Sequence, residues 1–239
     1  MKWNVIHIEE TDSTNRWLRE RAAGLRRESD APVVVCAEYQ TAGRGQGTNQ
    51  WESERGMNLL FSMLIHPYNI PANRQFQISM TISLAICDAL GQYIGGLSVK
   101  WPNDIYWRDG KLGGILIEHT VSGGMIRDSI IGVGLNINQQ RFISDAPNPV
   151  SVWQICGQPT DREQLLRQIL ETFDRTLYAN VRPRYLSMLY RRQGYHPYVD
   201  QTGAFMAELT DVEDDGHLVL TDDGGRRRRY AFKEVQFVV

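Results

Sequence analysis

Short apolar runs and polar turns follow one another along the first 190 residues, with two different periods interleaved. Val33-Val34-Val35-Cys36-Ala37 reads as a buried strand running into Glu38-Tyr39-Gln40 and then a glycine-rich turn. Asn58 to Ile65 and Ser129 to Asn138 read as further strands, the second carrying Gly132 and Gly134. Asp12-Ser13-Thr14-Asn15 predicts a helix start ahead of the charged run Arg16 to Ala23, with Gly24 as its C-terminal cap. Apolar residues alternate from Phe76 to Ile86, yet Arg74 to Leu90 is long and free of Gly and Pro. Length decides for a buried helix, capped by Asn73 after Pro71. Val99 to Glu118 predicts two strands around Arg108-Asp109-Gly110, where Asp-Gly is a hairpin signal. Thr160-Asp161-Arg162-Glu163 fits a capping box, and Leu166, Ile169, Leu170, Phe173 and Leu177 fall on one helix face. Pro183 can open one more helix, with Leu186, Leu189 and Tyr190 on its buried side.

The texture changes after Gly194. Short alternating strands are separated by Asp214-Asp215-Gly216 and Asp222-Asp223-Gly224-Gly225, which predicts a small all-β module. The expected organisation is α+β: a larger domain over residues 1–190 and a β module over 191–239.

Composition narrows the picture. With 42% hydrophobic and 23% charged residues, the chain is that of an ordinary globular protein. Lys and Arg total 26 against 28 Asp and Glu, a formal charge of -2, which argues against a broad nucleic-acid surface. No apolar run reaches membrane-spanning length, and Met1-Lys2-Trp3-Asn4 lacks the apolar stretch of a secretory signal. Three scattered cysteines without a CxxC predict neither disulfides nor a zinc cluster, so a reducing cytoplasm is the expected setting. The five histidines show no pair at metal-ligand spacing, so no resident metal is expected.

Four segments carry candidate chemistry. Gln40-Thr41-Ala42-Gly43-Arg44-Gly45-Gln46-Gly47 follows a strand, and its alternating glycines let backbone N–H groups turn toward an anion. It is neither a Walker A loop nor a dinucleotide fingerprint, and on its own it is equally a mobile surface turn. Lys100-Trp101-Pro102-Asn103-Asp104 leads into Asp109-Gly110-Lys111-Leu112-Gly113-Gly114, where a hairpin fixes Lys111 on a strand; a solvated turn is the plainer alternative. Gly132 and Gly134 imply close packing against the strand backbone, or a bulge. Ser13-Thr14-Asn15 is a helix cap that also presents free donors. The basic run Arg226 to Arg229 reads as a solvated or edge-protecting strand.

The order of these segments is more specific than any one of them. Ser13-Thr14-Asn15, then Gln40-x-x-Gly43-Arg44-Gly45 with Trp51, then Lys100-Trp101-Pro102-Asn103-Asp104, Lys111-Leu112-x-Gly114-Ile115-Leu116-x-Glu118 and Gly132-x-Gly134-x-Asn136 resemble the biotin protein ligase family over nearly the whole chain. The resemblance implies a mixed central sheet with helices, of the class II aminoacyl-tRNA synthetase and biotin ligase kind, and a small SH3-like C-terminal domain. It implies activation of biotin by ATP to biotinyl-5′-AMP, with Mg²⁺ on the nucleotide, and transfer to a lysine of a biotin carboxyl carrier domain. Two unit charges ~4 Å apart repel by about 4 kcal/mol near a protein surface, so joining a carboxylate to a polyphosphate requires fixed cations. Carried over by motif, Arg44, Lys111 and Asp104 are the catalytic candidates, with Asp104 orienting the acceptor lysine. Ser13, Thr14, Asn15, Gln40, Gly43, Arg44, Gly45, Gln46, Lys111, Gly132 and Gly134 are implied to hold biotin. Gln46, Trp51, Asn103, Lys111 and Asn136 are implied to meet the nucleotide.

Two features depart from the family pattern. The loop continues Gln46-Gly47-Thr48-Asn49 where many relatives carry more arginines, and the chain reaches Ser13 without a preceding helix-turn-helix. The expectation is a short form that binds no operator DNA and no membrane; monomer and homodimer both remain open. Lipoate–protein ligases and octanoyltransferases share the fold but handle other acids, and the Lys-Trp-Pro-Asn-Asp and Gly-Arg-Gly combination favours biotin. A biotin-binding module without catalysis needs neither Lys111 nor Asp104.

Overall fold

The computed structural model describes residues 2–29, 31–45, 47, 49–144 and 147–238. β1 (Asn4–Thr11) and β2 (Val33–Gln40) lie side by side in parallel, joined by the helix α1 (Thr14–Glu28). β3 (Leu59–Ile65) runs antiparallel to β2, and all seven of its residues are buried, so it shows no alternation. After α2 (Phe76–Leu90) come β4 (Leu97–Lys100), β5 (Asp104–Trp107), β6 (Gly110–Ser122) and β7 (Met125–Leu135). The resulting mixed sheet has the order β1-β2-β3-β7-β6-β5-β4. α3 (Val152–Cys156), α4 (Arg162–Thr176) and α5 (Arg182–Ser187) follow. Phe61, Met63, Ile131 and Val133 share the main core with residues of α2 and α4, whereas Leu18 of α1 packs with Val33, Val35, Leu64 and Ile130. The two faces of the sheet thus have separate apolar cores, and α1 begins where its face runs out toward the end of the strands.

Several local expectations shift. α1 does not stop at Gly24: Leu25 still packs on the apolar cluster and Arg26 reaches Asp128 at 2.6 Å, which together outweigh the ~1 kcal/mol a mid-helix glycine costs. Asn73 does not cap α2; it lies in a 3₁₀ turn, Ala72–Arg74, ahead of the helix. The first strand expected from Val99 is two strands, β4 and β5, divided by Trp101-Pro102-Asn103. α4 is capped by Asp161, whose carboxylate accepts from Glu163 and Gln164 N–H, while Thr160 is held by Asn138. α3 is an addition, closed by a Ser151–Gln154 capping box. Leu189 and Tyr190 are buried as expected, but beyond the end of α5, where the chain hydrogen-bonds to Val99 on the outer edge of β4.

The C-terminal sheet holds β8 (His196–Asp200), β9 (Gly203–Val212), β10 (Leu218–Asp222), β11 (Arg227–Tyr230) and β12 (Val235–Phe237), all antiparallel in the order β11-β10-β9-β8-β12. It is tied to the β4–β5 connection by the Trp101 indole N–H, which donates to the Gly216 carbonyl at 2.9 Å, and to α5 by Arg182 on Asp211. β11 is an edge strand, as the arginine run predicted. Arg227 and Arg229 face outward onto Glu213 and Asp215, while Arg228 points inward to Asp222 and Asp200 over the Phe205 ring. No helix among the described residues is long and apolar enough to cross a membrane.

Asp200 is the polar keystone of this sheet. Hydrogen bonds from the Thr202 and Tyr230 hydroxyls, with Arg228 nearby, hold its carboxyl down at about 2. A carboxyl depressed on folding stabilises the native state above its unfolded value and loses that stabilisation as pH falls through the folded one. Asp200→Asn should therefore melt below the parent chain at pH 7, and the gap should close as pH falls from about 4 toward 2; thermal melts across that range check it.

Candidate active site

At the end of the sheet beyond the start of α1, the polar residues of the first motif converge. Ser13 stands at the N-cap with a buried side chain, yet its hydroxyl makes no capping bond and has no partner among the described residues. Thr14 spends both its N–H and its hydroxyl on Gln40 Oε1, at 2.8 and 3.1 Å, which leaves the Gln40 amide nitrogen available to a ligand. Asn15 is fixed in turn: its amide nitrogen donates to the Leu116 carbonyl and Glu118, and its oxygen lies 2.6 Å from the Ser62 hydroxyl. This packing requires glycine at 132, because a Cβ there would run into the Asn15 carboxamide.

Residues 43–45 pair with 49–51 above these groups. Gly45 N–H donates to the Asn49 carbonyl at 2.8 Å and Trp51 N–H to the Gly43 carbonyl at 2.9 Å. Trp51 lies flat on the sheet: a Cβ on Gly134 would sit 2.6 Å from its indole, and one on Gly114 3.3 Å away. Its indole nitrogen is buried with no partner among the described residues. Arg44 is exposed and has no carboxylate partner among the described residues.

The opposite wall is the β5–β6 hairpin. Lys111 Nζ lies 2.8 Å from Asp104 Oδ1, and both side chains are partly exposed to the slot. The Lys111 backbone is fixed on both sides, N–H to the Asn148 carbonyl and C=O from Val150 N–H. Asn103 exchanges hydrogen bonds with Ile115, its amide donating to the Ile115 carbonyl at 2.6 Å.

One cavity of about 130 Å³ unites these groups. Ser13, Thr14, Asn15, Gln40, Arg44, Gly45, Trp51, Asn103, Asp104, Lys111, Gly132 and Gly134 all line it. Gly43 is set behind, at the base of the pairing between 43–45 and 49–51. Asn136 is also outside the lining: its amide donates to the Lys111 and Val150 carbonyls and so ties the 148–152 segment to β6. Gln46 lies outside the described residues. The slot thus has a neutral hydrogen-bonding end, a two-glycine floor under an aromatic ring, and a cationic end.

A mixed sheet ending in such a slot, with a separate antiparallel sheet beside it, is the architecture of ligases that attach a cofactor to a protein. The biotin protein ligase from Aquifex aeolicus in complex with biotin and ATP has this fold, with a TM-score of 0.77 and 23% identity over 98% of this chain and 99% of that one. The biotin–[acetyl-CoA-carboxylase] ligase of Paracoccus denitrificans is 30% identical over 92% of this chain and 95% of its own. The bifunctional ligase/repressor BirA of Bacillus subtilis is 26% identical over 97% of this chain and 73% of its own. The model of the biotin/lipoate A/B protein ligase family matches residues 8–136, more than half of the sequence. The chain belongs to that family.

Sequence reasoning missed Ser62 and Gln50, and quoted Asn49 and Leu116 in their motifs without assigning them to the site. Ser62 had a signal: it is the single polar residue in the buried run Leu59-Leu60-Phe61-Ser62-Met63-Leu64-Ile65. Its hydroxyl lies 2.7 Å from Thr14 Oγ1 and 2.6 Å from Asn15 Oδ1, beneath two residues that line the slot. Ser62→Ala should leave the Asn15 oxygen without its buried donor and destabilise the fold by about 1–3 kcal/mol, read by denaturant unfolding.

Proposed function

We propose that this chain activates biotin with ATP to biotinyl-5′-AMP and then passes biotin to a lysine of a carboxyl carrier domain. The observation that carries this reading is that Arg44 and Lys111, far apart in sequence, share one slot with Asp104 and the Gly132–Gly134 floor. In the first step a carboxylate oxygen bonds to the α-phosphorus, and the bond from that phosphorus to the pyrophosphate oxygen breaks. Both reactants are anions, so positioned cations are what the protein has to offer. Lys111 has three N–H donors; one can stay on Asp104 while others meet the carboxylate and phosphate. Arg44, unpaired in the free chain, is available to the phosphates. Ser13, Thr14 and the free Gln40 amide would face the ureido head, with Trp51 and Asn103 on the nucleotide side.

In the second step the acceptor amine attacks the mixed-anhydride carbonyl, AMP leaves with the C–O bond electrons, and the amine gives up a proton. Asp104 would orient that amine. Asp104 is the sole carboxylate among the described lining residues and already holds Lys111, so the slot has no acidic cage for a resident metal. Mg²⁺ would arrive on the nucleotide, neutralising the departing pyrophosphate. The fixed Ser13–Asn15 end favours a compact polar head over the plain chain of octanoate.

Biotin should support ATP–pyrophosphate exchange, and lipoate or octanoate should not. Exchange with lipoate alone would move the chain to the rival activity. Lys111→Ala should slow adenylate formation on the order of 10²-fold, measured as exchange rate. Arg44→Ala should form the adenylate more weakly or release it early, seen as free biotinyl-AMP by chromatography.

A further inference from the structure

Counting charge in the slot exposes a deficit. Lys111 is neutralised by Asp104 at 2.8 Å, which leaves Arg44 as the unpaired cation of the lining. A nucleotide triphosphate carries several negative charges even with a divalent ion bound. Another cation is therefore expected near the mouth, and the residues of the 43–49 turn include no basic side chain besides Arg44.

The C-terminal sheet brings one there. The connection between β11 and β12 is a tight turn, with Glu234 N–H donating to the Ala231 carbonyl and the Glu234 carboxylate accepting from Ala231 N–H. Within it Lys233 adopts a left-handed backbone, φ 71°, unusual for a residue other than glycine. Such backbone is kept where its surroundings impose it and where it aims a side chain. The preceding residue supplies the anchor: the Phe232 ring stands 5.3 Å from Trp101 and 6.3 Å from Phe76. From this turn the Lys233 ammonium reaches Gly47, where a Cβ would lie only 2.6 Å from Nζ. Gly47 borders the same surface hollow as Ser13, Arg44 and Asn49, three residues that also line the slot. Lys233 is exposed and has no carboxylate partner among the described residues, so its charge is unspent.

Building on the ligase reading, we infer that Lys233 is a phosphate-binding residue, a cation lent by the C-terminal sheet to the nucleotide held at the glycine turn. It acts on the polyphosphate and not on the acid, because Gly47 and Arg44 border the outer hollow, which Thr14 and Gln40 at the other end of the slot do not line.

The test is titration of Mg²⁺-ATP, and separately of biotin, into the full chain and three variants. Lys233→Gly suits the left-handed backbone and removes an exposed side chain with its charge, so its fold should hold. It should bind ATP about tenfold more weakly, with a shallower dependence on ionic strength and unchanged biotin affinity. Lys233→Arg should restore ATP binding, and Lys233→Glu should weaken it further. Equal ATP affinity in the parent, Lys233→Gly and Lys233→Glu chains overturns the inference, as does a matching loss of biotin affinity or an absence of ATP binding in the parent. The ligase reading fails on a different result, namely no biotin-dependent pyrophosphate exchange by the unaltered chain.

Discussion

A cation that must hold two anions together has to be unable to move away from them. In the function proposed above, Lys111 would meet that constraint through its backbone more than through its side chain. It sits at the start of β6, with its N–H on Asn148, its carbonyl on Val150, and Asn136 bonded across both partners' segment. Asp104, one strand over, draws the ammonium into the slot at 2.8 Å. The charge is thus placed before any ligand arrives, and little reorganisation is left to the reaction itself. The mixed sheet, the hairpin and the 148–152 segment all serve that placement.

The glycines complete it by subtraction. Trp51 can lie on the sheet only because positions 114 and 134 have no Cβ, and Asn15 reaches its partners only because position 132 has none. An aromatic ring and a fixed carboxamide thus rest directly on strand backbone and line the slot from there.

Much of this was legible in the chain. The strands β2 and β3, the helix α2, the β5–β6 hairpin and the all-β C-terminal module follow from runs, lengths and turn residues. The order of motifs pointed to one site, and Arg44, Lys111, Gly132 and Gly134 line one cavity. What sequence could not supply were pairings at long separation. Ser62 under Asn15, Trp101 on Gly216 and Asn136 across to Val150 each join residues whose spacing carries no periodic signal. Helix ends were misjudged for a related reason: Gly24 and Thr160 look like boundaries locally, and tertiary partners of Leu25 and Asn138 decide otherwise.

The two lysines of the central motif show how burial assigns roles that sequence leaves equal. Lys100 pairs in register with Asp104 across β4 and β5, so by spacing alone it is as good a candidate as Lys111. Its side chain goes elsewhere, donating to the Tyr106 hydroxyl at 3.0 Å between the Tyr106 and Phe237 rings. Burial there disfavours its charge and lowers its pKa from the ordinary lysine value. An ammonium already held by an aromatic hydroxyl and two ring faces gains little by turning to a phosphate. Lys111, a third exposed and held by one carboxylate, can add a ligand without giving up its partner. The strand that carries Lys100 therefore works as structure, binding the β4 edge to the rings of the C-terminal sheet, and the chemistry proposed above is left to the lysine across the hairpin.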